Sequence, residues 1–142
     1  MFKTLDDGIY VAPQISVAHV ADAKALGVTL IINNRPDDEA PDQTPGAEIE
    51  AAAVAAGMDY IAFPITHSGF SEPQVKAMVD ALESTDGPVL AYCRSGTRST
   101  NLWALAMASL GGHPAVLIET AEKAGYDISS LLPLMDILRS RA

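Results

Sequence analysis

Apolar residues in this chain gather in short runs that alternate with stretches of helical spacing. Four runs rich in β-branched and aromatic residues stand out: Ile9-Tyr10-Val11, Val28 to Asn33, Tyr60 to Ile65, and Pro88 to Tyr92. Runs of this kind, separated by helical stretches, predict a parallel α/β sheet. Ser16 and Gly27 bracket a first helix as N-cap and C-cap residues. A second helix covers residues 47–56, with Ile49, Ala52, Ala53 and Ala56 at helical spacing, and stops at Gly57. A third begins at Ser71, where Gln74 completes a capping-box pattern, and carries the stripe Val75, Met78, Val79 and Leu82. The fourth follows Cys93 and reaches Leu110. Its segment from Leu102 to Ala108 has almost no polar face, which predicts burial on most sides. Two more helices are expected near residues 114–124 and 130–139.

The expected fold is therefore α/β, with a central four- to five-stranded, mainly parallel sheet flanked by helices. The 142 residues suit one domain spanning 1–142, long enough to bury its own core. The one long loop, residues 35–46, holds three prolines and four acids. It reads either as a solvated connection or as the border of a substrate cleft.

Charge narrows the function. Nine Lys and Arg against 18 Asp and Glu leave a net charge of −9, which argues against nucleic acid and against an anionic membrane surface as partners. No apolar run approaches the roughly 18 residues of a membrane helix. The first eight residues lack the apolar stretch of a secretion signal. The single cysteine, Cys93, excludes an intrachain disulfide and a Cys-rich metal site. The three His are scattered without ligand spacing. These features predict a cytoplasmic protein with no cofactor and no metal.

The chemistry concentrates in Cys93-Arg94-Ser95-Gly96-Thr97-Arg98-Ser99. The segment joins a strand to a helix, at the carboxyl end of the sheet where ligands of parallel α/β folds collect. The free N–H groups and dipole of the helix N-terminus favour an anion there. Gly96 permits backbone geometry that a side chain would obstruct. Arg94 and Arg98 add two cations within five residues of the sulfur. Each feature favours thiolate over thiol. Cys93 is expected to be the nucleophile and Arg98 its catalytic partner, with Arg94, Ser95, Gly96, Thr97 and Ser99 forming the anion-binding loop. Arg35 ends the second strand and should face the same cleft, either paired with the acidic loop or recognising an anionic substrate group. His67, after the third strand, is expected at the rim, with substrate contact or proton transfer as its functional reading. Tyr92 is expected to pack beneath the loop.

Cys-x4-Arg-Ser after an apolar strand resembles the active-site loop of the rhodanese sulfurtransferases. The chain as a whole resembles the phosphatase-like domain of the beta-lactamase-hydrolase-like (Blh) family, from Phe2-Lys3 to Pro13, through the corner Ile32 to Pro36 and the segment Ala91 to Ser99, to Leu102-Trp103-Ala104 and Gly125-Tyr126-Asp127. The resemblance implies a fold similar to the dual-specificity cysteine phosphatases, and either phosphatase or sulfur-transfer activity. Some members of that family fuse this domain to a metal-dependent persulfide-oxidising domain, which implies a functional link to such a protein.

Two departures from the phosphatase pattern bear on the reaction. Those enzymes carry Cys-x5-Arg, whereas four residues separate Cys93 from Arg98. A shorter ring of amides favours a terminal sulfur over a phosphoryl group. The corner from Pro64 to Gly69, where the phosphatases place an acidic proton donor, has no carboxylate. Asp37, Asp38 and Asp42 could reach in from the long loop. Sulfur transfer between thiols needs no such acid, because a thiolate already leaves well. The sequence therefore favours a sulfurtransferase passing sulfane sulfur from a small anionic or persulfide substrate, through a Cys93 persulfide, to an external thiol acceptor. A phosphatase with a phosphocysteine intermediate is the alternative, followed by an anion-binding or redox-sensing module.

Overall fold

The structure is a computed structural model and describes residues 2–66 and 68–142. The strands are β1 (Lys3–Asp6), β2 (Ile9–Ala12), β3 (Leu30–Asn33), β4 (Asp59–Ala62) and β5 (Val89–Tyr92). They form one sheet in the order β1-β2-β5-β3-β4. β1 runs antiparallel to β2, and the other three pairings are parallel. The α/β expectation with a mainly parallel sheet holds. β1 was not anticipated: only Leu5 of its four residues is buried, so it carries no apolar run. The third predicted strand, expected to reach Ile65, ends at Ala62 because Pro64 has no N–H to offer the ladder. The chain still tracks its neighbour, with the Phe63 and Ile65 N–H groups donating to the carbonyls of Asn33 and Asn34 at 3.1 and 2.8 Å.

The helices are α1 (Val17–Ala25), α2 (Gly46–Ala55), α3 (Glu72–Glu83), α4 (Thr97–Ser109), α5 (Pro114–Lys123) and α6 (Leu132–Ser140), the last entered through a 3-10 turn at Ser129–Leu131. α3 starts as the sequence predicts: the Ser71 N–H donates to Gln74 Oε1 at 2.9 Å.

β5 lies between β2 and β3, so its side chains alternate between two cores. Val89 and Ala91 join the core that contains residues of α3, α4, α5 and α6. Leu90 and Tyr92 join the core on the opposite face, with Val20 and Ala23 of α1 and Ile49 and Ala53 of α2. α4 packs against α3, α5 and α6. Its Leu102, Trp103 and Leu105 are buried, and each of the two leucines contributes about 1.5–3 kcal/mol. This packing fixes the start of α4, and hence the turn that precedes it, at the centre of the sheet's carboxyl edge.

Candidate active site

The Tyr92 end of β5 lies level with Ala12 of β2 and Asn33 of β3. The chain turns there into α4. The Cys93 N–H donates to the Ala12 carbonyl at 3.3 Å, and the Gln14 N–H donates to the Arg94 carbonyl at 3.2 Å. Gly96 caps α4 with a left-handed backbone, φ +92°. Its N–H points back at the sulfur and donates to Cys93 Sγ at 3.1 Å. Glycine is required twice over: a Cβ at this position would lie 2.2 Å from the Tyr126 hydroxyl. That hydroxyl donates to the Ser95 carbonyl at 3.1 Å, so Tyr126 braces the outside of the turn. Burial raises the Tyr126 phenol, and the nearby Cys93 sulfur adds to the effect.

Arg98, in the first turn of α4, reaches across the mouth of this turn to the 35–46 loop. Its Nη1 donates to Glu39 Oε2 and its Nη2 to Glu39 Oε1, both at 2.8 Å. Nη1 also donates to the Ile65 carbonyl at 2.6 Å. Arg35 grips the same carboxylate from the other side, Nε to Oε1 at 2.9 Å, and donates through Nη1 to Gln14 Oε1 at 3.0 Å. The Glu39 side chain is 17% exposed, so these charges meet largely out of water. The Arg98 hydrogen bond, opposed by burial and helped by Arg35, lowers the Glu39 carboxyl to about 2. Reciprocally, Glu39 raises Arg98, with the Cys93 sulfur close enough to contribute.

The other predicted residues take a range of positions. Ser99 is buried and its hydroxyl donates to Asn34 Oδ1 at 2.9 Å, tying α4 to the end of β3. Ser95 and Thr97 are exposed, with the Ser95 hydroxyl donating to Thr97 Oγ1 at 2.9 Å. Arg94 is exposed. Arg35 is buried and pairs with the acidic loop. His67 lies outside the described residues. Tyr92 is buried beneath the turn, and that burial pushes its hydroxyl well above the ordinary phenol range. Cys93 is fully buried, whereas a nucleophile, the role expected of it, must meet its substrate.

Glu39 was not singled out from sequence. The loop acids named there take other positions: Asp37 Oδ1 accepts the N–H of Gly46 at the start of α2 at 2.9 Å, while Asp38 and Asp42 are exposed. The loop is also more ordered than a solvated connection. Gln43 ties it together, accepting the Glu39 N–H at 3.1 Å and donating to the Pro36 carbonyl at 2.9 Å. A pocket of about 330 Å³ opens beside Arg35, lined by Asn33, Asp37, Glu50 and Tyr60 among others, and does not include Cys93 or Arg98.

A buried cysteine on a glycine turn, an arginine fork at its mouth and a mainly parallel sheet define a cysteine-phosphatase-like domain. The fold is that of the dual-specificity and related cysteine phosphatases: Tk-PTP in its active form superposes with a TM-score of 0.76 over 99% of this chain and 97% of that one, at 17% identity. The chain belongs to the family of phosphatase-like domains of beta-lactamase hydrolase-like proteins, whose sequence profile matches residues 1–110. A beta-lactamase hydrolase-like protein of Agrobacterium fabrum is 34% identical over 125 residues, 87% of this chain and 29% of the relative. The chain thus spans less than a third of that relative's length. The crystal structure of a candidate phosphatase from Neisseria meningitidis is 31% identical with a TM-score of 0.84, covering 96% of this chain and 97% of that chain. These relatives favour the phosphatase alternative over the sulfur transfer preferred from sequence.

Proposed function

We propose that this domain is a cysteine-dependent phosphatase acting on a phosphate monoester. Cys93 Sγ attacks phosphorus as a thiolate, the P–S bond forms and the P–O bond to the leaving group breaks. Water then attacks the phosphocysteine, releasing inorganic phosphate and restoring the thiolate. One observation carries the reading: Arg98, beside the Cys93 sulfur, already holds a two-oxygen anion in bidentate fashion, the Glu39 carboxylate. The same fork fits two non-bridging oxygens of a phosphoryl group. Turnover of an aryl phosphate, inhibited by vanadate and abolished in Cys93→Ser, is the expected result. Turnover that survives Cys93→Ser, or no turnover by the wild-type protein, overturns the assignment.

Sulfur transfer is a second reading, supported by the four-residue spacing between Cys93 and Arg98 and by a carboxylate that holds no proton in this arrangement. The Cys93 thiolate would take the outer sulfur of a persulfide or thiosulfate. The donor leaves as thiolate or sulfite, and an external thiolate then removes the sulfur from the Cys93 persulfide. Incubation with thiosulfate followed by intact-mass measurement tests it: one added sulfur atom, absent in Cys93→Ser, supports it, and an unchanged mass refutes it.

A further inference from the structure

We propose that the pocket beside Arg35 is a second small-molecule site, and that it takes the zwitterionic head group of a small α-amino acid. The pocket includes neither Cys93 nor Arg98. The inference goes beyond the phosphatase reading and does not depend on it.

Charge in the pocket is graded from floor to rim. The buried cation is Arg35, whose side chain is 4% exposed. Its Nε and Nη1 donate to Glu39 Oε1 and Gln14 Oε1, and its Nη2 has no partner among the described residues. Glu39 does not neutralise Arg35 alone, because the same carboxylate also holds Arg98. Two guanidiniums thus share one negative charge largely out of water, which favours a second anion at Arg35. The start of α2 adds to the attraction, since a helix is positive at that end. Gly46 seats it directly over Asn33 and Tyr60: a Cβ there would lie 2.9 Å from Asn33 Nδ2 and 3.0 Å from the Tyr60 hydroxyl. The Tyr60 hydroxyl accepts from Asn33 Nδ2 at 3.0 Å and keeps its own proton to donate. Beside it, the buried Tyr92 hydroxyl has no hydrogen-bond partner among the described residues. These donors make a floor suited to a carboxylate.

The rim has the opposite sign. Asp37 and Glu50 line the pocket and are exposed. Asp37 Oδ1 accepts the Gly46 N–H at 2.9 Å, which leaves Oδ2 for a ligand. A bare anion drawn to Arg35 would meet these two carboxylates, and a bare cation drawn to them would meet Arg35. A molecule that carries both charges on one carbon satisfies both ends, with its carboxylate inward and its ammonium outward. The volume of about 330 Å³ leaves room for a small side chain as well.

Titration of the isotope-labelled full chain with L-serine, followed through its backbone amide shifts, tests the proposal. Saturable shifts are expected at Asp37, Gly46, Ala47 and Tyr60. Two fragments separate the charges: 3-hydroxypropanoate is serine without its ammonium, and ethanolamine is serine without its carboxylate. Each should bind about tenfold or more weakly than L-serine. Glu50→Gln, an exposed change that leaves Arg35 and its partners alone, should weaken L-serine about threefold. The same variant should bind 3-hydroxypropanoate as well as the wild-type protein or better. Arg35→Met should abolish L-serine binding, with thermal unfolding as the check on its fold, because Arg35 also holds Glu39. No saturable shift with L-serine would overturn the site. Glycerol binding as tightly as L-serine would overturn the charge pairing, as would equal losses of L-serine and 3-hydroxypropanoate in Glu50→Gln. Shifts confined to residues 93–98 would put the carboxylate at Arg98 and overturn the assignment to this pocket. The readout needs no turnover, so an inactive wild-type protein would overturn the phosphatase reading and leave this one standing.

Discussion

Glu39 and Arg98 lie 59 positions apart in the chain, yet they meet through two parallel hydrogen bonds of 2.8 Å across the mouth of the Cys93 turn. The pair couples the one long loop of the protein to the first turn of its most buried helix. The carboxylate engages both terminal nitrogens of Arg98, and Nη1 also donates to the Ile65 carbonyl.

The fork, rather than the charge alone, is what the site uses. An Arg98→Lys variant would keep one positive charge and lose the two-point, planar contact. Loss of about a hundredfold or more in kcat/KM is expected, with the circular dichroism spectrum unchanged. Turnover equal to wild type would contradict the role assigned to Arg98.

The same pair makes stability depend on acidity. The Glu39 carboxyl is lowered from 4.5 to about 2, chiefly by its hydrogen bond to Arg98. A lowered carboxyl stabilises the folded protein above its unfolded value, and the contribution disappears as pH falls through the folded value. The expected contribution is about 2–3 kcal/mol at neutral pH, since the side chain is only 17% exposed. Urea unfolding should show the wild-type protein more stable than Glu39→Gln by about this much at pH 7. The difference should narrow between roughly pH 5 and 2. A constant difference across that window would show that the ion pair contributes nothing.

Much of this architecture is written in local pattern. Val28 to Asn33 and Pro88 to Tyr92 are nearly continuous apolar runs because β3 and β5 are buried on both faces. The all-round apolar stretch of α4 announces its burial in the same way. Cys93, Gly96 and Arg98 lie within six residues, so their grouping is also local. Glu39 is different. Among four acids in a proline-rich loop, nothing in spacing or hydropathy marks the one that the fold carries to Arg98. Sequence reasoning chose Asp37, Asp38 and Asp42 as candidates, and the tertiary pairing selected their neighbour. One signal was available: Arg35 and Glu39 stand four apart, the ends of an ion pair. β1 escaped notice because a strand with one buried residue has no alternation to detect.

Gly96 carries two constraints, a left-handed backbone and contact with Tyr126. Gly96→Ala should cost at least about 1–2 kcal/mol from the backbone alone. It should also displace Tyr126, because the added Cβ would lie 2.2 Å from the hydroxyl. Tyr126→Phe should lose only the bond to the Ser95 carbonyl, about 1 kcal/mol. Thermal unfolding with tungstate titration reads both effects. Near-normal stability and binding in Gly96→Ala would show that the turn is not held in this conformation.

Ser99 is expected to matter for stability more than for chemistry. Its hydroxyl proton is committed to Asn34 Oδ1, and neither residue has exposed surface. Ser99→Ala leaves that oxygen buried without this donor, at a cost of about 1–3 kcal/mol. A large fall in kcat with unchanged stability would instead mean that the hydroxyl turns toward the Cys93 sulfur during the reaction.

The burial of Cys93 can be probed without any substrate. Its side chain is sealed in the resting state, beneath a turn flanked by Tyr126 and closed at its mouth by the Glu39–Arg98 pair. A neutral alkylating reagent such as iodoacetamide should therefore react slowly with the folded wild-type protein. Glu39→Ala removes the carboxylate and frees the Arg98 side chain, so alkylation should accelerate severalfold. Saturating tungstate should slow the variant again by filling the vacated position. Equal rates in both proteins would locate the barrier elsewhere, with Tyr126 the next side chain to remove. A wild-type rate matching that of an exposed small thiol would mean that the sulfur is not covered in solution at all.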